Sequence, residues 1–392
     1  MSRPLFIIFL TVFVNLVGFG IIIPLLPFYA QTFGASPLVV GLLFAAFSLA
    51  QLLATPALGV LSDRWGRRPV LIFSLVGTVV SFGMLALAHS LTMLFLARIV
   101  DGLSGGNITT ARAYIADVTE PDQRAKAYGV LGAAFGLGFI VGPALAGVFA
   151  QISYTAPIWA AAAVTLVAAA MAWFWLPESV HRGNDQIVSP WRALPEVFTR
   201  RQLRPLLIAD FIYWSSFSVC NTTFALFALR RFEFDVVHTG YVLAAFGFLG
   251  VIVQVGLVGP LVRRLGVLRT FLLGLLIATL GWGLVAVSYS VSMFLLALVP
   301  AGIGVGLCNA ALITLVSHSA SKHEQGKVQG AAGALESLGR TIGPVWGNGA
   351  LQRFGEGSAY ASASLAFAVT TLVMLAYHLP DTNTHYQLSA PK

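Results

Sequence analysis

Long stretches without a single charged residue dominate the pattern of polar and apolar positions. Six such runs cover residues 4–62, 69–97, 127–177, 236–262, 270–321 and 357–380. A membrane-spanning helix needs about 20 mostly apolar residues, so the three longest runs each hold two spans and the others hold one each. Three further spans, which carry a few charges, lie at 98–117, 203–229 and 324–352. The pattern predicts an all-α membrane protein with twelve transmembrane helices.

The composition excludes several other classes of protein. Apolar residues make up 57% of the chain and charged residues 10%, whereas an average soluble protein carries roughly 25% charged residues. The apolar runs are uninterrupted, so they do not fit barrel strands of about 10 residues with alternating polarity. The two cysteines, Cys220 and Cys308, both lie in apolar spans, and no Cys/His cluster has the spacing of a metal site. We therefore expect neither a metal nor a cofactor.

The net charge of +8 reflects topology rather than a nucleic-acid partner. With the N-terminus in the cytoplasm, 17 of the 23 lysines and arginines fall on the cytoplasmic side. The positive-inside rule then places both termini in the cytoplasm, with attraction to anionic membrane lipids as a by-product. We expect a monomeric, multi-pass protein of the inner cell membrane.

The two halves of the chain resemble each other at a shift of about 200 residues. Glycines and a proline of the fifth span recur in the eleventh: Gly129, Gly138, Gly142 and Pro143 become Gly330, Gly339, Gly343 and Pro344, and Gly147 corresponds to Gly347. Two similar sets of six helices in the same orientation form a parallel repeat, and the site of such a bundle is expected at the interface between its halves. We predict a first half at 1–177, a cytoplasmic linker at 178–202 and a second half at 203–392.

Several motifs resemble those of the major facilitator superfamily. GVLSDRWGRRP (59–69) is similar to its loop signature, and LARIVDGLSGG (96–106) to its second motif. The pattern formed by Gly129, Gly138, Gly142, Pro143 and Gly147 resembles the motif of its drug:proton antiporters. ARAYIADVTEPDQRAKAYG (111–129) is similar to the tetracycline–proton antiporter branch. The resemblance implies the major facilitator fold, with two pseudo-symmetric six-helix halves.

One departure from the antiporter pattern bears on the function. Such proteins often carry an aspartate in the first helix where this chain has Asn15. Asparagine cannot titrate, so this position carries no proton, although it can still hydrogen-bond a substrate.

The loop motif predicts a gate on the cytoplasmic side. Asp63 can meet the positive N-terminus of a neighbouring helix, which by resemblance is the eleventh, and Arg67 can pair with Asp117. The alternative is that the arginines of this loop only follow the positive-inside rule. The predicted gate consists of Gly59, Asp63, Arg64, Gly66, Arg67 and Asp117.

Acids inside spans are costly and usually functional. Glu336 is the first candidate for proton coupling, Asp210 the second and Asp101 the third. Arg340, one turn beyond Glu336, offers a partner that can be exchanged for a proton. The alternative for Glu336 and Asp101 is a permanent, structural ion pair with the nearby arginine.

An aromatic and polar stripe on the seventh helix suits an amphipathic organic substrate. It begins at Asp210 and recurs at helical spacing up to Phe224. The alternative is that the stripe only packs helices together. The predicted cavity residues are Asn15, Arg98, Tyr213, Trp214, Phe217, Asn221, Phe224, Asn309 and Arg340.

The chain shows no ATP-binding or catalytic motif, so an enzyme is not expected. We predict a secondary transporter that exports a small amphipathic or lipophilic compound in exchange for protons, by alternating access. One alternative is an exporter of a glycolipid or sugar, or a lipid flippase. Another is a membrane receptor or scaffold that transports nothing.

Overall fold

The computed structural model describes residues 3–105, 107–120, 123–179, 197, 203–319 and 325–378 of the chain. Short turns connect the α-helices of these ranges, which contain no β-strand. In chain order the helices are α1 (Arg3–Gln31), α2 (Pro37–Trp65), α3 (Arg67–Ala86), α4 (Leu91–Ser104), α5 (Asn107–Val118), α6 (Arg124–Ala150), α7 (Ala156–Trp175), α8 (Arg204–Phe232), α9 (Val236–Ile252), α10 (Val258–Leu265), α11 (Val267–Ala286), α12 (Val291–His318), α13 (Gln325–Phe354) and α14 (Ser358–His378). A π-helical segment, Val253–Leu257, joins α9 to α10.

These helices form twelve membrane spans. The fourth span consists of α4 and α5, which are separated at Gly105, and the eighth runs through α9, the π-helical segment and α10. Within the described ranges, nine spans are long and apolar enough to cross a membrane. The fourth, seventh and eleventh spans are broken or carry charges. The predicted all-α protein with twelve spans is confirmed.

The spans run alternately between two sides of the molecule. We call one the basic side, because it holds the loops of Arg67 and Arg263, and the other the opposite side. Four helices that start at the opposite side have side-chain caps: Ser36, Ser90, Asp235 and Ser290 each accept a hydrogen bond from a backbone N–H three residues ahead. Such caps satisfy N–H groups that have no partner within the helix.

Close glycine contacts hold each half together in the same way. A Cβ at Gly142 of α6 would lie 2.7 Å from the Cα of Gly20 in α1. Its repeat partner, Gly343 of α13, packs against Ser215 and Ser218 of α8. The helix pairs α1–α6 and α8–α13 are thus equivalent, as expected for two pseudo-symmetric halves.

The predicted linker, 178–202, lies almost wholly outside the described residues. Residues 180–196 and 198–202 belong to the gaps, as does the C-terminal stretch 379–392. Glu178 and Ser179, where the predicted linker begins, are described and contact the first half.

Candidate transport site

The two halves meet closely near the opposite side. Gly41 of α2 lies against the carbonyl oxygen of Pro344 in α13, and the backbone N–H of Leu38 donates to Oε1 of Gln352 at 3.0 Å. The second contact joins α6 to α9, where a Cβ at Gly240 would lie 2.5 Å from the carbonyl oxygen of Pro143. These contacts close the space between the halves on the opposite side.

Towards the basic side the same helices separate. A Cβ added to any of several glycines would meet no neighbouring atom of the described chain within 4 Å; these are Gly59 in α2, Gly129 and Gly132 in α6, Gly256 in the π-helical segment and Gly333 in α13. None of these glycines therefore takes part in a close contact between the two halves in this structure.

The glycine motif of the fifth span, α6, contacts two neighbouring helices. Gly138 and Gly142 pack against α1 of the same half, where a Cβ at Gly138 would lie 2.5 Å from the Cβ of Leu16. Gly147 instead faces α9 of the other half, where its added Cβ would lie 3.1 Å from the carbonyl oxygen of Val237. Gly129 has open surroundings in this conformation.

Arg67 connects three elements on the basic side. Its guanidinium forms an ion pair with Asp63, and its Nε donates to Oδ2 of Asp117 in α5 at 3.1 Å. Nη1 also donates to the Ser62 hydroxyl at 2.7 Å. Gly66 turns the chain between α2 and α3 with a φ of 108°, a backbone conformation that favours glycine. Arg64 is exposed.

The predicted contact of Asp63 with the eleventh span remains a prediction. Among the described residues the ion-pair partner of Asp63 is Arg67. The helix α13 begins at Gln325, directly after residues 320–324, which lie outside the described ranges.

The sequence did not predict that Glu178 belongs to the group of polar residues around Arg67. Its carboxylate accepts hydrogen bonds from the backbone N–H groups of Arg67 and Arg68, at 2.8 and 3.2 Å. It thereby caps α3, where a negative charge is favourable. The neighbouring Ser179 donates its hydroxyl proton to Asp117 at 3.1 Å. In the sequence, the signal for this role of Glu178 was its position as an acidic residue directly after the sixth span.

Arg98 and Asp101 form a buried pair inside the first half. Nη1 of Arg98 lies 2.8 Å from Oδ2 of Asp101, and the guanidinium carbon lies 4.2 Å from the ring centre of Phe47. The Arg98 residue is 1% exposed. In this conformation Arg98 therefore does not line the open space, because α2 covers it; the expectation that it lines the cavity is corrected here.

The aromatic stripe of α8 divides between the core and the space between the halves. Tyr213 is buried, and its hydroxyl donates to the carbonyl oxygen of Val305 at 3.2 Å. Phe224 is also buried, with its ring 5.5 Å from that of Phe294. Both residues pack helices of the second half, so they do not line a cavity here.

The remaining members of the predicted cavity are partly exposed. They are Asn15 in α1, Trp214, Phe217 and Asn221 in α8, Asn309 in α12 and Arg340 in α13. The side-chain amide of Asn221 donates to the carbonyl oxygen of Phe217 at 3.0 Å.

Asp210 and Trp214 of α8 lie near Glu336 and Arg340 of α13, and we call these four side chains the acid–arginine ring. Trp214 follows Asp210 by one helical turn on the same side of α8. The Arg340 guanidinium lies 5.8 Å from the Trp214 ring centre and 3.5 Å from the Glu336 carboxylate. Glu336 in turn is close enough to Asp210 to repel it electrostatically.

The two acids of this ring differ in burial and pairing. The Glu336 side chain is 31% exposed and paired with Arg340. Asp210 is 5% exposed, and its Oδ2 atom has no hydrogen-bond partner among the described residues. The structure thus places Asp210, and not Glu336, in the more buried position.

Comparisons with known proteins agree with this architecture. Residues 8–344 match the family described as the Major Facilitator Superfamily. The class C tetracycline resistance protein of Escherichia coli is 33% identical over 354 residues, which cover 88% of each chain. Multidrug resistance protein 2 of Bacillus subtilis is 31% identical over 357 residues, again 88% of each chain.

A solved structure shares the fold. The human organic anion transporter TETRAN superposes with a TM-score of 0.73 and 24% identity, over 95% of this chain and 99% of that one. Together with the family match and the curated relatives, the two six-helix halves lead to one conclusion: the chain is a multi-pass membrane protein that belongs to the Major Facilitator Superfamily, in the family of the tetracycline resistance proteins.

Proposed function

We propose that this protein exports small amphipathic organic compounds in exchange for protons. The observation that carries the proposal is the acid–arginine ring, which places Asp210 and Glu336 beside the partly exposed Trp214 and Arg340. The relatives are named for tetracycline and multidrug resistance, so tetracyclines and lipophilic drugs are the first compounds to test. The protein works in the inner membrane with its basic side, and both termini, in the cytoplasm.

The charges of the ring give a simple rule for coupling. Two carboxylates and one guanidinium leave one negative charge in a desolvated position, which is costly within a membrane. One proton, or one cationic group of a substrate, removes that charge. Proton and substrate then exclude each other, which is the requirement for antiport.

Asp210 is our first choice for the proton-binding group. Asp210 is buried, and its own Oδ2 atom has no hydrogen-bond partner among the described residues, whereas Glu336 pairs with Arg340. A charged acid without a partner is costly inside a membrane span. The ion pair with Glu336 occupies Arg340, so Asp210 needs a proton to lose its charge.

Proteoliposomes with an acidic interior and the basic side facing outwards test the function. We expect substrate to accumulate inside while the interior becomes more alkaline, because each substrate that enters is exchanged for a proton that leaves. Substrate flux without a change of internal pH indicates a uniporter or lipid flippase, and no flux for any compound indicates a receptor or scaffold. A panel that includes glycolipids separates the sugar and lipid alternative from drug export.

A further inference from the structure

The loop on the basic side occurs once in each half, but its charges are arranged differently. In the first half, Asp63, Asp117 and Glu178 surround the start of α3 and bind Arg67. The corresponding loop of the second half joins α10 to α11 and contains Arg263, Arg264 and Arg269. Arg263 stands where the first half has Asp63, so this loop carries no acid of its own.

These three arginines are exposed and have no ion-pair partner among the residues that the structure describes. Arg263 and Arg264 end α10, and Arg269 lies in the first turn of α11. The ion pairs seen among the described residues involve other arginines, namely Arg67, Arg98, Arg231 and Arg340. We call Arg263, Arg264 and Arg269 the arginine triad.

The described acids of the second half lie elsewhere. Asp210 and Glu336 belong to the acid–arginine ring, while Glu233, Asp235 and Glu356 lie in turns or at helix starts on the opposite side. The triad therefore presents three positive charges that no described acid neutralises.

The position of the triad restricts which class of ligand can neutralise its positive charge. The loop directly connects two membrane spans, so its side chains lie at the level of the lipid headgroups. Apolar side chains of the same stretch are exposed next to it, including Leu257 and Leu265. A ligand that joins negative charge to an apolar body fits both features.

We propose that the arginine triad binds the headgroups of anionic phospholipids in the leaflet on the basic side. Basic clusters next to a membrane span attract anionic lipid by about 1 kcal/mol for each arginine. The first half thus holds its loop with its own acids, and the second half holds the equivalent loop with the membrane.

Lipid binding by the purified, full-length protein tests the proposal. The protein in detergent is titrated with phosphatidylglycerol or with phosphatidylcholine of the same acyl chains, and bound lipids are counted by native mass spectrometry. We expect tighter binding of phosphatidylglycerol, weakened by salt. Arg263→Gln/Arg264→Gln should lower this preference about 25-fold, at about five-fold for each arginine.

A matched control removes the same charge on the opposite side. Arg230→Gln/Arg353→Gln alters two exposed arginines there and should keep the preference. An unchanged preference in Arg263→Gln/Arg264→Gln, or an equal loss in the control, overturns the proposal. Displacement of phosphatidylglycerol by equimolar inorganic phosphate also overturns it, because the site would then bind a free anion.

A further variant distinguishes a loss of lipid binding from a folding defect. Arg269→Gln changes one exposed residue on the neighbouring helix and should lower the preference about five-fold. Size-exclusion profiles and thermal unfolding of all variants must match those of the parent protein. If Arg269→Gln folds normally and keeps the full preference, the triad does not act as a lipid site.

Discussion

Gly41 lies directly against the carbonyl oxygen of Pro344, and this contact joins the two halves near the opposite side. The equivalent contact occurs at the other side of the pseudo-symmetric repeat, where Gly240 lies against the carbonyl oxygen of Pro143. Each contact pairs a glycine of one half with a proline carbonyl of the other. Neither glycine position has room for a side chain while the opposite side is closed.

A side chain at Gly41 should therefore disfavour the conformation seen here. We expect Gly41→Leu to fold but to shift the protein towards the state that is open on the opposite side. Overpacking costs about 1–3 kcal/mol, which corresponds to a population shift of about 5–150-fold. Labelling of a reporter cysteine placed between the halves, from each side of the membrane, measures the shift.

Gly83→Leu is the matched control for that variant. It introduces the same side chain where an added Cβ meets no neighbouring atom within 4 Å. Equal labelling of the Gly41→Leu variant and the parent protein would show that the contact does not hold the opposite side closed.

The predicted gate on the basic side, in which Asp63 and Asp117 hold Arg67, should affect the rate of transport more than folding. Asp63→Asn removes one of the two carboxylates that hold Arg67. For a partly exposed pair the loss is about 1 kcal/mol, so we expect transport to slow about five-fold at equal abundance in the membrane. Asp235→Asn makes the same change in an exposed acid that caps α9, and asparagine caps equally well. Normal transport by the Asp63→Asn variant would reject the gate.

Two glycines of one motif should respond differently to the same substitution. A leucine at Gly142 meets Gly20 and the carbonyl oxygen of Val17, so Gly142→Leu should wedge α6 from α1 and abolish transport. Gly129 has open surroundings in this conformation, so Gly129→Leu should fold and bind substrate. If α6 closes against the second half during the cycle, Gly129→Leu will nevertheless transport poorly. Full activity of the Gly142→Leu variant would show that this contact is unimportant.

The acid–arginine ring predicts which variants lose proton coupling. Asp210→Asn and Glu336→Gln each leave one acid beside one arginine, which is a neutral ring that needs no proton. We expect both to lose uphill transport and to keep downhill exchange, measured in proteoliposomes with and without a pH gradient. Asp210→Glu preserves the charge and should retain coupling. If Asp210→Asn and Glu336→Gln both accumulate substrate against its gradient, the proton carrier lies elsewhere.

The polarity pattern alone determined the number of spans, the repeat and the pairs within single helices. Arg98–Asp101 and Glu336–Arg340 are three or four residues apart within one helix, and the helical period brings such residues together in any α-helix. These parts of the site follow from spacing because they do not depend on how helices pack.

Contacts between helices were decided only by the tertiary structure. The position of Arg340 over Trp214, the cap formed by Glu178 and the burial of Tyr213 all depend on the rotation of each helix about its axis. A helix such as α8 is apolar around most of its surface, so its polarity pattern does not define which face meets α13. The close packing of Gly339 and Gly343 against Ser215 defines that face, because only small residues allow the two backbones to approach.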